Sequence, residues 1–293
     1  ENQQAGSSFY FIANYHALTT TQDAALLREQ TFDVAASYLA MGLDPARATL
    51  FRQSDVPEVT ELTWLLLTVT PMGLLERAVS YKDKVARGLP ASGGLFTYPA
   101  LMAADILAYD SNVVPVGADQ VQHIEITRDM AGAFNHAYGD VFVLPEARLN
   151  EARIVPGVDG QKMSKSYGNG IPMFLGGKPL RKRVMSIVTD STPVEAPKDP
   201  DAGTVFQLYG LFASEAERSE MAARYRRGGM GYGDAKQALY EKIDAHFAEG
   251  RERRAALQRD RDHVEDVLRE GARRARAVAR AVTDRARAAC GLV

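Results

Sequence analysis

Residues 157–170 read GVDGQKMSKSYGNG, a glycine-rich loop that follows the last strand pattern of the chain and precedes a long run of helical patterns. Its glycines lack a Cβ, so the backbone of the loop is free to move. Between the glycines, Lys162 and Lys165 carry ammonium groups, and Ser164 and Ser166 carry hydroxyls. Ammonium, hydroxyl and backbone N–H groups are the donors that bind a polyanion. The segment therefore predicts a mobile phosphate-binding loop, and the plainer alternative is a solvated surface turn.

Upstream of this loop, strand patterns alternate with helix patterns. Short apolar runs predict strands at 9–13, 48–51 and 113–116, and amphipathic segments predict helices at 23–41, 98–109 and 119–134. Strands that alternate with helices favour a parallel sheet with helices on both faces. We therefore predict an α/β fold with a doubly wound parallel sheet.

Downstream of the loop, the strand patterns stop. Helices are predicted at 179–188, 204–213, 215–226 and 234–247, followed by one or two long helices in the alanine- and arginine-rich tail. The change of pattern places a domain boundary close to the loop. We predict an α/β domain at 1–175 and an α-helical domain at 176–293.

The composition is that of an ordinary globular protein, with 46% hydrophobic residues among 293. No apolar run is long enough to span a bilayer. The single cysteine, Cys290, excludes an internal disulfide and favours a reducing compartment, so we expect a cytoplasmic protein. The five histidines are scattered along the chain, so we expect no metal site made by the protein alone.

The charge is unevenly distributed. Residues 251–293 contain 12 arginines and 7 acidic residues, a net charge of +5 in a chain whose total is −2. A basic end on an acidic body is typical of a protein with a polyanionic partner. A solvated helix held by ion pairs between neighbouring turns explains the same pattern equally well.

One predicted helix carries side chains suited to ligand binding. Tyr98, Met102 and Asp105 are spaced at i, i+4 and i+7, which places them on one helix face. An acid in the apolar context of residues 101–107 needs a donor if it is buried. His16 follows the first predicted strand, at the sheet edge where ligands collect in open α/β folds. A core stripe with an outward-facing acid is the alternative interpretation.

Several segments together resemble the tryptophanyl-tRNA synthetase family. KMSKS at 162–166 is similar to the signature loop of class I aminoacyl-tRNA synthetases. TYPALMAADIL at 97–107, VPVGADQ at 114–120, NYHALT at 14–19 and TDS at 189–191 resemble the tryptophanyl members. The resemblance covers nearly all of the α/β part and fades in the C-terminal helices. It implies a Rossmann-like catalytic domain that ends in the lysine loop, followed by an anticodon-binding domain whose last helix packs back on the catalytic part.

The resemblance also implies roles for particular residues. The tryptophan site would comprise His16, Tyr98, Met102, Asp105, Val114, Val116 and Gln120. Asp105 would accept the indole N–H, and Tyr98 and Gln120 would hold the α-ammonium group. The ATP site would comprise Gly117, Asp119, Ile154, Lys162, Met163, Ser164 and Lys165. Lys84, Lys162 and Lys165 would act on the phosphates, with Mg²⁺ carried mainly by the triphosphate. The implied partners are tRNA(Trp), tryptophan, ATP and a second copy of the chain.

The alternatives differ in substrate or in activity. A tyrosyl-tRNA synthetase shares this fold and loop, but it typically has a glutamine at the position of Met102, whereas a methionine favours an apolar, flat ligand. A synthetase-like binding protein without catalysis is the other alternative. Members of the family carry a histidine- and glycine-containing nucleotide motif before the strand at Phe9, so we expect the native protein to have roughly 30 further residues upstream.

Overall fold

The computed structural model of the protein describes residues 8–78, 81–82, 86, 92–149, 154–165 and 167–292. Its strands are β1 (Phe9–Ile12), β2 (Thr49–Arg52), β3 (Val113–Val116) and β4 (Glu146–Leu149). The helices of the N-terminal half are α1 (Asn14–Ala17), α2 (Ala24–Ala40), α3 (Glu58–Val69), α4 (Met72–Glu76), α5 (Gly93–Leu107) and α6 (Val121–Tyr138). Those of the C-terminal half are α7 (Gly177–Met185), α8 (Thr204–Tyr209), α9 (Glu215–Arg227), α10 (Tyr232–Arg259) and α11 (Arg261–Ala289).

The described strands form two parallel pairs. β1 pairs with β2 in a register that runs from Phe9 opposite Thr49 to Ile12 opposite Arg52, and α2 connects them. β3 pairs with β4 in the same parallel sense. The strand β4 was not predicted, because all four of its residues are exposed and it has no apolar run to reveal it. Each pair therefore presents the carboxyl ends of its two strands at one edge.

The helix α5 begins five residues before the predicted start at Tyr98. The Ser92 hydroxyl accepts a hydrogen bond from the backbone N–H of Leu95 at 3.2 Å and caps the helix. Pro99 therefore lies inside the helix rather than in its first turn, which corrects the sequence interpretation. The buried face of α5 includes Ala103, and small side chains on this face let neighbouring helices approach closely.

Two compact units make up the structure. The first comprises the described residues of Glu1–Glu151 and Leu257–Val293, and the second those of Ala152–Ala256. These units divide the chain at different points from the functional domains expected at 1–175 and 176–293, which stay a prediction. None of the described helices combines the length and the apolar composition that a membrane crossing requires.

In the first unit, the tail helix α11 contributes to the same core as β2 and α3. Ala275, Ala279 and Val282 are fully or almost fully buried in a cluster that also contains Phe51 and Leu62. The tail is thus a core element of this unit. The second unit has its own core around α7, α8, α9 and α10, whose most buried large side chains include Leu180, Tyr225 and Leu239.

Candidate functional site

The first unit contains a buried carboxyl group. Asp105, on the inner face of α5, is only 3% exposed. Its Oδ2 accepts a hydrogen bond of 2.6 Å from the side-chain amide of Gln53. Burial raises the pKa of Asp105 well above its ordinary value, although the Gln53 hydrogen bond acts in the opposite direction. A carboxyl group held in this way is a strong acceptor in a site with little water.

Gln53 connects this carboxyl group to His16. Gln53 lies in the short 3₁₀ turn that directly follows β2, and His16 lies in α1, just after β1. The amide Nε2 of Gln53 is 2.9 Å from His16 Nδ1. The carboxyl ends of parallel strands meet at one edge, and this explains why residues 37 apart come together. Sequence reasoning missed Gln53, although its position immediately after a strand was the same signal that singled out His16.

Aromatic and imidazole rings lie next to the linked side chains of His16, Gln53 and Asp105. The ring of Tyr98 lies edge-on to that of His16, with centroids 6.2 Å apart. Its hydroxyl is 3.4 Å from Nε2 of His123. Burial lowers the pKa of both His16 and His123 below the ordinary value. Burial therefore favours the neutral form of both rings.

A cavity of about 370 Å³ opens beside these rings. His16, Tyr98 and Leu101 line it, together with Thr60 and Thr63 of α3. Asp105 does not line this cavity, but Gln53 connects it by hydrogen bonds to His16, which does. The cavity is large enough for part of a small ligand, and its lining is mostly apolar.

Three of the expected apolar wall residues belong to one cluster. Met102, Val114 and Val116 pack together with the buried side chains of Ile106 and Ile124. This cluster joins α5 to β3 and α6, one turn from Asp105. It forms an apolar wall, and the flat apolar ligand expected from Met102 stays a prediction.

The turn after β3 brings together three other expected residues. The Gln120 amide donates a hydrogen bond of 2.9 Å to Asp119 Oδ2. A Cβ at Gly117 would lie 2.8 Å from Asp119 Oδ1, closer than real Cβ contacts permit. The absence of a side chain at Gly117 therefore leaves room for the Asp119 carboxylate in its observed position.

The lysine loop lies in the second unit and is organised by one amide side chain. Asn169 is 3% exposed. Its Oδ1 accepts a hydrogen bond of 2.8 Å from the backbone N–H of Ser164. Its Nδ2 donates to Asp159 Oδ1 at 2.9 Å and to the carbonyl oxygen of Lys162 at 3.1 Å. Asn169 therefore fixes the backbone on both sides of Met163, while the side chains of Lys162 and Lys165 stay exposed.

Neighbouring residues hold this amide in place. A Cβ at Gly157 would lie 2.4 Å from the Asn169 side chain, so glycine is required there for the close approach. Arg183 of α7 donates to the carbonyl oxygen of Gly170 at 2.9 Å, and to that of Gly168. The loop thus has a defined conformation in the described residues, held by contacts within its own unit.

The structure divides the predicted site residues into two groups. His16, Tyr98, Met102, Asp105, Val114, Val116, Gly117, Asp119 and Gln120 lie in the first unit. The second unit contains Ile154, Lys162, Met163, Ser164 and Lys165. Ile154 is 73% exposed, and the backbone N–H of Met163 donates a hydrogen bond to the Val155 carbonyl oxygen. The predicted phosphate ligand Lys84 lies outside the described residues.

Comparison with known families gives one match over most of the chain. The model for tRNA synthetases class I (W and Y) matches residues 2–248. The chain is 59% identical to the tryptophan–tRNA ligase of Rhodopirellula baltica over 99% of its own length and 91% of that protein. It is 52% identical to the ligase of the same name from Fusobacterium nucleatum, over 99% of this chain and 90% of the relative.

Solved structures agree with this match. A crystal structure of tryptophanyl-tRNA synthetase from Campylobacter jejuni, complexed with ADP and tryptophan, superposes with a TM-score of 0.93 at 49% identity. The alignment covers 98% of this chain and 90% of that one. The tryptophanyl-tRNA synthetase of Mycoplasma pneumoniae gives a TM-score of 0.78 at 28% identity, over 97% and 88% of the two chains. These similarities confirm the predicted Rossmann-like α/β fold with C-terminal helices.

Proposed function

Because the chain belongs to the class I family of tryptophanyl- and tyrosyl-tRNA synthetases, we propose that it activates L-tryptophan with ATP and transfers the product to tRNA(Trp). The relatives at 59% and 52% identity, both tryptophan–tRNA ligases, support tryptophan as the substrate. The observation in this chain that carries the proposal is the buried Asp105 carboxyl group beside an apolar wall. An indole N–H is donor-only and needs such an acceptor.

In this proposal the first unit binds tryptophan. Asp105 accepts the indole N–H, and Met102 lies against the ring with Val114 and Val116 in the same wall. Tyr98 and Gln120 hold the α-ammonium group at the open end, and His16 completes the pocket. Charge-assisted hydrogen bonds in a water-poor pocket give strong discrimination, because a ligand without the donor leaves a buried acceptor unpaired.

ATP is the second substrate. Gly117 and Asp119 bind the ribose, and the backbone near Ile154 and Met163 binds the adenine. Lys162 and Lys165, with Lys84 and Ser164, act on the phosphates. In the described part of the chain, no three His, Cys, Asp or Glu side chains come together as a metal site. In this proposal Mg²⁺ is carried mainly by the triphosphate, as the family resemblance implies.

The reaction needs no nucleophile from the protein. A carboxylate oxygen of tryptophan bonds to the α-phosphorus, the bond from that phosphorus to the bridging oxygen breaks, and pyrophosphate leaves. The protein contributes by positioning the two substrates and by stabilising charge on the phosphates. In the second step a ribose hydroxyl at the 3′ end of tRNA(Trp) attacks the carbonyl carbon, and AMP leaves.

The finer assignments rest on the family resemblance. Residues 176–293 bind the anticodon arm in this proposal, and the active species is a homodimer. The exposed indole of Trp64 on α3, 67% accessible, fits a surface that a second copy covers. A cytoplasmic location accords with the single cysteine, Cys290. Analytical ultracentrifugation tests the homodimer: a monomer at micromolar concentration would contradict it.

ATP–pyrophosphate exchange tests the activity itself. We expect exchange to depend on tryptophan and to be weaker with tyrosine by about a hundredfold or more, since the pocket wall at Met102 is apolar. Dependence on tyrosine would establish the tyrosyl alternative. Tryptophan binding without exchange, with pure ATP and Mg²⁺ present, would establish the non-catalytic alternative. Lys165→Ala should slow adenylate formation far more than it weakens tryptophan binding, because its contact with the phosphates strengthens in the transition state. Lys178→Ala, which removes an exposed lysine of α7, is the matched control.

A further inference from the structure

We propose that Gln53 is a positioning residue that determines how Asp105 recognises an N–H group, and so sets the selectivity of the amino-acid pocket. This inference rests on the proposed function, because it concerns the same pocket. Gln53 is 1% exposed and lies within hydrogen-bond distance of two polar side chains, those of His16, which lines the cavity, and of Asp105, which does not. It lies 52 positions from Asp105 in the sequence.

The hydrogen bonds establish the orientation of the Gln53 amide. Its Oε1 faces two backbone N–H donors, those of Tyr15 at 2.9 Å and His16 at 3.4 Å. An amide oxygen accepts and an amide nitrogen donates, so the reversed orientation would set donors against donors. Nε2 must therefore face Asp105 and His16.

The same orientation assigns the proton on His16. Gln53 Nε2 has two hydrogens, one for Asp105 Oδ2 at 2.6 Å and one for His16 Nδ1 at 2.9 Å. A ring nitrogen that accepts a hydrogen bond carries no proton. His16 is consequently neutral, with its proton on Nε2, which agrees with its burial.

Asp105 is left with one oxygen for the ligand. Among the described contacts, Asp105 takes a single hydrogen bond, at Oδ2, from Gln53. Gln53 therefore holds the carboxyl plane still and leaves Oδ1 to accept the N–H of the substrate. Without Gln53 the carboxyl group could turn or find another proton donor, and its preference for an N–H ligand would fall.

The test compares two ligands of the same shape. Tryptophan and β-(3-benzothienyl)alanine differ in that sulfur replaces the indole N–H. Affinities of the wild type and of Gln53→Met for both ligands are measured by calorimetry. Methionine keeps the length of the side chain and removes all its hydrogen bonds. We expect the wild type to prefer tryptophan by about tenfold or more, and Gln53→Met to prefer it by about threefold or less.

The ratio of the two affinities separates a positioning role from a structural one. A Gln53→Met protein that binds both ligands more weakly but keeps the wild-type ratio would overturn the inference, as would a wild type with no preference. A wild type that binds no tryptophan at all contradicts the proposed function instead. The two failures are therefore distinguishable.

If Gln53→Met does not fold, a second experiment exchanges the amide and the carboxyl group between positions 53 and 105. Gln53→Glu sets a second carboxyl group against Asp105 and should lose the preference for tryptophan. The double variant Gln53→Glu with Asp105→Asn restores one donor and one acceptor, since the new amide can donate to the new carboxylate. The oxygen of the amide at position 105 can then accept the indole N–H, so the preference for tryptophan should return in part. A double variant no more selective than Gln53→Glu alone would overturn the inference.

Discussion

Gly271 of the tail helix α11 lies directly against the backbone of Leu50 in β2. A Cβ at Gly271 would be 1.8 Å from the Leu50 carbonyl oxygen and 2.7 Å from its carbonyl carbon. No flexible side chain separates the two, so only a glycine allows this contact. The helix is therefore a close neighbour of the strand that leads directly into Gln53.

Gly271→Ala should consequently destabilise the first unit. The methyl group meets rigid backbone, and overpacking of that kind costs about 2–3 kcal/mol. The midpoint temperature of thermal unfolding should fall by about 5–10 °C. Gly132→Ala in α6 is the matched control, because a Cβ there meets nothing within 4 Å and alanine favours a helix. Equal transition temperatures for the two variants would contradict the close contact.

The arginines of α11 should differ in what their removal changes. Arg276 pairs at 3.0 Å with Glu58, whose side chain is only 8% exposed. Arg276→Gln leaves that acid without its partner, so we expect a loss of stability of about 1–2 kcal/mol, measured by urea unfolding. A stability equal to that of the wild type would show that Glu58 finds another donor.

Arg273 and Arg280, in contrast, are available to an outside partner. Their side chains are 72% and 67% exposed, and their ion pairs lie within α11 itself. Replacing both with glutamine should spare stability and pyrophosphate exchange but weaken tRNA charging, most clearly at low salt, because phosphate contacts are screened by salt. Arg28→Gln removes one exposed charge elsewhere as a control. A loss of charging that is the same at all salt concentrations would speak against phosphate contacts.

Asn169 should matter for catalysis through the conformation of the lysine loop. Asn169→Ala removes the three side-chain hydrogen bonds to Ser164, Asp159 and Lys162. We expect adenylate formation to slow by at least about tenfold, with tryptophan affinity unchanged. Gln161→Ala in the same loop is the control, since Gln161 is exposed and its bonds in this loop are made by the backbone. Adenylation by Asn169→Ala at the wild-type rate would contradict a positioning role.

Asp105→Asn should lower kcat/KM for tryptophan. The amide keeps the shape but replaces a charge-assisted acceptor with a neutral one, at a cost of about 1.5–3 kcal/mol. The KM for ATP should stay near that of the wild type. Asp129→Asn, an exposed acid of α6, is the control. Unchanged tryptophan kinetics would mean that Asp105 does not contact the indole.

The same variant should change the pH dependence of stability. Burial raises the pKa of Asp105, so the folded protein keeps a proton that the unfolded chain releases above about pH 3.9. The contribution of Asp105 to the free energy of unfolding is therefore largest below that pH. It is lost as the pH rises through the pKa of Asp105 in the folded protein. His16, whose pKa is lowered, contributes in the opposite direction in both proteins. The Tm of Asp105→Asn relative to wild type should therefore increase from pH 4 to pH 8, and a constant difference would contradict the shift.

Local sequence patterns were enough to predict many of the secondary-structure elements and several candidate site residues. The Lys-Met-Ser-Lys-Ser loop, the strands at Phe9 and Val113 and the helix face shared by Tyr98 and Asp105 are all properties of short segments. Backbone periodicity places such residues on one face whatever the rest of the chain does. The parallel arrangement followed from the alternation of strands and helices.

Contacts between distant segments needed the folded molecule. Three contacts join residues that share no local pattern: Gln53 with Asp105, Gly271 with Leu50, and Arg276 with Glu58. The composition of the tail supported both the ion-pair interpretation and the polyanion interpretation. The structure separates the arginines by their partners, because Arg276 pairs with the buried Glu58 of α3 whereas Arg273 pairs with an exposed acid of its own helix. Periodicity encodes which face of an element is apolar, but the partner atom across that face depends on how several elements pack, and that packing is a property of the whole chain.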